Sequence, residues 1–350
     1  SIVRQIEHKD CFSGLAEVIR EVDLVQQALL TERSYASEIC AIISELYDRV
    51  TRKIVQIAEK EMIDAGWGPP PTQYSFISMG SAGRQEQFSR TDQDNGIIFA
   101  DPNETSGDLA ANYFLALGKR IVGGLEVCGF KRCVGEVMAD NPNWCLPLSM
   151  WKNRLKLWVD KLDPKDIREM TIFLDYRHIA GDAKLTEKLK SYSTKLFKDS
   201  RHALLFLAED DLRQRVPLNM FGRVITEKRG RSKKKLNLKS TSMVHMVDCL
   251  RLFALREGLE ETNSFERIHR LKETGVFKAG DAEYIEAAYE SLLMFRIKAA
   301  AEKIRLRQEP DPYIDITALS RKERALLKES LLVINRLQSL TAHAFHVHKA

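Results

Sequence analysis

The stretch "SMGSAGRQEQFSRTDQDN", residues 78–95, sets Gly80 and Ser81 a short distance ahead of an Asp-x-Asp, Asp92 and Asp94. It lies between "YSFISM" (74–79) and "DNGIIFAD" (94–101), two apolar runs of strand length, and "AGRQEQF" reads as the start of a short helix. Side chains alternate along a strand, so Asp92 and Asp94 are expected on one side with Cα atoms roughly 7 Å apart. Two like charges held together are costly unless something positive sits between them. Carboxylates so placed can share two divalent ions, the arrangement that clamps attacking and leaving oxygens in phosphoryl transfer. Mg²⁺ suits them, being hard and usually shared with substrate phosphates. Gly80 lets backbone amides approach a triphosphate, Ser81 adds a hydroxyl, and Arg84 adds a planar cationic fork. No Gly-Lys-Ser/Thr follows, so the turn is neither a Walker A loop nor a G-x-G-x-x-G.

Working outward, residues 1–66 read as helices, with Ile39, Ile42, Ile43, Leu46, Val50, Ile54 and Ile57 keeping a helical period from Ser34 to Ala65. That stripe packs on the following domain, or the helix serves as a connector to an upstream one. "GWGPPPTQ" (66–73) ends it. Beyond the two strands, "ETSGDLAANYFLALGKRIVGGLEVCG" is a helix opened by capping residues, and "LSMWKNRLKLWVDKL" (148–162) is another. "CVGEVM" (133–138) and "EMTIFLDYR" (169–177) read as further strands, and helices dominate from Ser193. The pattern predicts three parts: a helical segment (1–69), an α/β domain (70–192) and a helical domain (193–350).

Composition is that of an ordinary globular protein, 44% hydrophobic and 29% charged. No run of about 18 apolar residues is present, so no membrane span is expected. The chain opens on Ser1 without a signal-peptide pattern, and a preceding segment is expected. Six scattered cysteines without a C-x-x-C suggest free thiols in a cytoplasmic protein.

Gly-Ser followed by Asp-x-Asp resembles the signature of the DNA polymerase β-like nucleotidyltransferase superfamily. The fuller string "GSAGRQEQFSRTDQDN" is similar to the nucleotidyltransferases related to the PII-protein uridylyltransferase. The resemblance continues through "VMADNPNW", "FLDYRHIAGD", "FGRV" and "VDCLRLFALREGLEETNSFERI". One departure is Gln85, where glycine is usual. The resemblance implies an α+β fold: a polymerase β-like core of mixed sheet and helices, flanked by an N-terminal helical segment and a C-terminal helical domain named for substrate binding. It implies transfer of an NMP from NTP to a hydroxyl acceptor, with two Mg²⁺ ions on Asp92 and Asp94 and the triphosphate on Gly80, Ser81 and Arg84. It suggests UTP, a protein acceptor, a signalling role, and an upstream CBS or cyclic-nucleotide-binding domain. A third carboxylate has two candidates, Glu136 and Asp175. Alternation in "TIFLDYR" puts Asp175 and Arg177 on one strand face, where the arginine holds the acid ionised, and related transferases carry an acid two residues before an arginine, so Asp175 is preferred.

Two other functions fit the motif less well. A nucleotide-binding module without turnover is opposed by the intact Asp92 and Asp94, and an RNA-tailing enzyme by the modest net charge of +5. The basic run 228–239 reads as a hairpin or loop without interleaved aromatics. His343, His346 and His348 do not share a helix face as a metal site would require. Arg251, Arg256 and Arg296 are further candidates to reach a nucleotide.

Overall fold

The computed structural model describes residues 1–32, 35–103, 107–229 and 233–347. The expectations for Ser34, the helix cap at 104–106, the turn at 230–232 and His348 lie outside these residues. The chain divides into two compact units, with the division inside one helix between Leu196 and Phe197, and with 35–38 grouped with the second unit.

In the first unit, α1 (Ile2–Glu7), α2 (Phe12–Thr31) and α3 (Ala36–Asp64) precede the sheet. No glycine or proline interrupts α3, and Ile39, Ile43, Val50 and Ile54 form its buried stripe, while Ile42 falls off it at 42% exposure. β1 (Tyr74–Ser78), the one-turn α4 (Gly80–Gly83) and β2 (Asn95–Phe99) follow. Next come α5 (Gly107–Val127), β3 (Cys145–Pro147), α6 (Leu148–Lys161), α7 (Ile167–Phe173), β4 (Arg177–Gly181) and α8 (Ala183–Asp199). The sheet order is β3-β2-β1-β4. β1 lies antiparallel to both β2 and β4, with Tyr74 opposite Phe99 and Ser78 opposite Asn95, and β3 runs parallel to β2.

Both central strands are buried along their length because helices cover both faces. Phe114 of α5 stacks on Phe99 at 4.8 Å and meets Tyr74 at 5.3 Å. Gly96 belongs to the other face, where a Cβ would sit 3.6 Å from Trp151 of α6. The Trp151 ring there stacks on Phe173 at 4.9 Å and its Nε1 donates to the Ile97 carbonyl at 3.0 Å.

Two predicted strands are not strands. Residues 133–138 form a turn: Gly135 is followed by Glu136 at φ +54°, and Glu136 N donates back to the Cys133 carbonyl. The third strand comes later, at β3. Residues 167–173 are helical, because Ile167, Met170 and Phe173 are buried at a spacing of three rather than two. Asp175 therefore sits in the turn from α7 into β4, and the alternation that paired it with Arg177 does not exist.

The second unit is mostly helical. α9 (Arg201–Arg213) leads to β5 (Glu227–Arg229) and β6 (Lys233–Asn237), then α10 (Val244–Glu257), α11 (Ser264–Glu273), α12 (Ala279–Arg305), β7 (Tyr313–Asp315) and α13 (Arg321–Ala344). β5, β6 and β7 make a small antiparallel sheet, so the basic run is a hairpin in its described part. No described helix is long and apolar enough to cross a membrane, and all six cysteines are free thiols.

The packing of α5 rests on Gly118, where a Cβ would stand 2.2 Å from the Ala139 carbonyl oxygen. Gly118→Ala is expected to destabilise the first unit by roughly 1–3 kcal/mol, a melting-temperature loss of about 5 °C by calorimetry. A melt matching wild type would show that residues around Ala139 give way freely.

Candidate active site

β1 and β2 fix the two halves of the motif against each other. Ser78 pairs with Asn95, and Met79 N donates to the Asp94 carbonyl at 2.8 Å. Asp92 and Asp94 precede β2, and Asp92 makes a single parallel bridge to Lys131. Period two holds through the segment nonetheless: Gln93 and Asn95 are buried, while Asp92 is exposed and Asp94 half-buried. The two inward amides lock it in place. Gln93 Nε2 donates to the carbonyls of Val122 and Phe130, both at 3.3 Å, and Asn95 Nδ2 donates to Gln93 Oε1 at 3.2 Å. Asn95 Oδ1 accepts from Ala139 N at 2.8 Å, and Asn95 N donates to the Val137 carbonyl.

Gly80 turns the chain at φ +57°, a conformation that favours glycine. A Cβ on Gly80 would stand 3.0 Å from Asp94 Oδ2, so the bare Cα leaves room beside the carboxylate. The amides that follow are distributed unevenly. Gly83, Arg84, Gln85 and Glu86 donate to the carbonyls of Met79, Gly80, Ala82 and Ser81. Among the described residues, no hydrogen bond uses the amide N–H groups of Gly80, Ser81 or Ala82. Gln85 takes φ +56°, a conformation that favours glycine.

Arg84 lies beneath this turn with its fork between two buried carboxylates: Nε donates to Glu86 and Nη1 to Asp175, each at 2.7 Å. Asp175 is fully buried. Arg177 is held by Asp48 of α3, with Nη1 2.8 Å from Oδ2, while its Nη2 donates to Asp48 Oδ1 and the Ala82 carbonyl, both at 3.0 Å. Burial pushes the Asp48 carboxyl above its usual range, and the Arg177 guanidinium pulls it back. Cys133 lies against Asp94; burial and then that carboxylate push its thiol up. Glu136 is exposed on the turn beside them.

Sequence reasoning passed over Asp48, Glu86, Gln93, Asn95 and Cys133. Gln93 and Asn95 were findable, since the period that puts Asp92 and Asp94 outward puts these two inward. Asp48 and Cys133 come from distant segments and carry no local signal. In the second unit, Arg251 pairs with Asp248, and Arg256 pairs with Glu257 and lies over the Phe253 ring. Arg296 lies by the Met243 sulfur, and His343 and His346 are exposed. No group of three or more His, Cys, Asp or Glu among the described residues is arranged to hold a metal ion.

Sheet, glycine turn and outward Asp pair define a polymerase β-like nucleotidyltransferase core, followed by a helical domain. Family comparison gives the same answer: residues 20–165 match the family described as "putative nucleotidyltransferase DUF294", and residues 201–345 match "putative nucleotidyltransferase substrate binding domain". The chain belongs to this nucleotidyltransferase family. No curated protein matches it. Asp175 and Arg177 fall between the two matched segments.

Removing one partner of a buried ion pair is strongly destabilising, whereas an exposed carboxylate contributes little. Asp175→Ala is expected to cost roughly 3–5 kcal/mol, lowering the melting temperature by about 10 °C, while Asp92→Ala stays within about 2 °C of wild type. Equal melting of the two variants in calorimetry would refute a structural role for the Arg84–Asp175 pair.

Proposed function

We propose that the first unit transfers a nucleoside monophosphate from an NTP to a hydroxyl group of an acceptor and releases pyrophosphate. One observation carries this reading: three uncommitted amides, at Gly80, Ser81 and Ala82, lie on a glycine turn whose bare Cα adjoins the Asp94 carboxylate. Donors for phosphate and hard oxygens for a cation thus meet at one place, as a nucleotide–metal complex requires.

Asp92 and Asp94 fit a magnesium site. Their oxygens are hard, they reach solvent, and Gly80 leaves the space beside Asp94 open. Bound there with NTP, Mg²⁺ would neutralise charge on the phosphates and on the oxygens entering and leaving. The remaining work falls to the chain. The amides and the Ser81 hydroxyl hold the triphosphate, and the Gly80 turn aims it. Arg84 supports the turn through Asp175 and Glu86, so its charge acts from below the phosphates rather than as a free fork. The acceptor oxygen attacks the α-phosphorus, the bond from that phosphorus to the α,β-bridging oxygen breaks, and pyrophosphate leaves. The hydroxyl proton passes to a carboxylate of the pair. The rate gain is chiefly positioning and charge neutralisation. By resemblance, UTP is the donor and a protein the acceptor.

Asp92→Asn and Asp94→Asn are each expected to abolish labelling of acceptor by radiolabelled NTP in cell extract with Mg²⁺, without lowering the apo melting temperature, because neutralising one acid relieves repulsion. An active Asp92→Asn variant would overturn the proposal. Mg²⁺ with NTP at about a hundred times its Kd should add about 2.7 kcal/mol, a rise of roughly 5–10 °C in melting temperature. No rise with any of the four NTPs would leave the turn without a nucleotide.

A further inference from the structure

Residues 217–225 of the second unit form a closed turn that holds large apolar side chains out in solvent. Asn219 Oδ1 accepts the amides of Phe221 and Arg223, at 3.0 and 2.8 Å. Asn219 N donates to the Arg223 carbonyl, Gly222 N to the Asn219 carbonyl, and Ile225 N to the Pro217 carbonyl. Leu218 and Val224 bridge the base, and Gly222 takes φ +65° at the tip. On this frame Met220 is 91% exposed and Phe221 78%. A scattered exposed apolar residue needs no explanation. Two adjacent ones on a backbone bonded this fully are presented at a fixed place.

The flanking sequence is cationic. Over residues 213–239 ten lysines and arginines stand against one carboxylate, Glu227, so this segment carries +9 of a whole-chain balance of +5 and the rest is net −4. Arg223 beside Phe221 and Lys234 on β6 are both exposed. Lys328 of α13 flanks the tip, its Cε 3.4 Å from where a Gly222 Cβ would stand.

We propose that this turn is a docking finger and that its partner is an acidic protein segment that carries aromatic side chains for Met220 and Phe221 to pack against. Met, aromatic and Arg residues are the types enriched at protein interfaces, and a buried aromatic anchor within a charged rim is the usual hot spot. Single-stranded RNA would call for successive stacking platforms, and 213–239 contains one aromatic residue. That the partner is the nucleotidyl acceptor rests on the transfer reading; the chemistry of the surface does not.

The test is fluorescence anisotropy of the full chain with a labelled random copolymer of glutamate and tyrosine, alongside labelled poly(U) and phosphatidylserine vesicles. The copolymer is expected to bind in a salt-sensitive way and most tightly of the three. Phe221→Ser and the pair Arg223→Glu, Lys234→Glu should each weaken it about tenfold or more. Asp92→Asn should bind as wild type, which separates docking from transfer. No copolymer binding, variants that bind unchanged, or tighter binding of poly(U) or vesicles would overturn the proposal.

Discussion

Gly83 has no room for a side chain. A Cβ there would stand 1.7 Å from the Asp175 carbonyl oxygen and 2.9 Å from that of Ser78. This backbone-on-backbone contact seats the entry to β4 under the glycine turn, and the rest of the site follows from it. Arg84, the next residue, is brought within reach of Asp175, and Arg177, two residues further along, is brought to the Ala82 carbonyl and Asp48. α3 joins at the same level, with Ser44 Oγ donating to the Gln87 carbonyl. A larger residue at 83 would separate the turn from its supports.

The acidic residues around the turn divide by their surroundings. Asp48, Glu86 and Asp175 are buried and each faces an arginine, so their charge is used in holding the backbone. Asp92 and Asp94 reach solvent, and the Cys133 thiol and the bare Cα of Gly80 lie against Asp94. The two are fixed by the neutral amides of Gln93 and Asn95, which rigidify without adding charge beside the pair.

The two units differ in electrostatic character. The Asp-x-Asp motif of the first unit is built around acids, and the charge excess of the chain is concentrated in one segment of the second unit, next to a turn that presents Met220 and Phe221. Whole-chain net charge hides this because the segment and the remainder have opposite signs, which is why +5 looks unremarkable.

The local frame of the motif was legible from the sequence. Glycine before Asp-x-Asp between two apolar runs is local information, and β1, the turn at Gly80, β2 and the outward pair follow from the preferences of neighbouring residues. So did α3, α5 and α6, whose periods are long and uninterrupted. The strand readings at 133–138 and 169–177 failed where short apolar runs fit either period. At 167–173 burial at every third residue, against Trp151, decided for helix. At 133–138 a positive φ at Glu136 decided for a turn. The partners of Arg84, Arg177 and Asp94 lie far from them in sequence, so only the folded chain could assign them. Propensity and period act over a few residues, whereas ion pairs and close backbone approaches are set by which segments the sheet brings together.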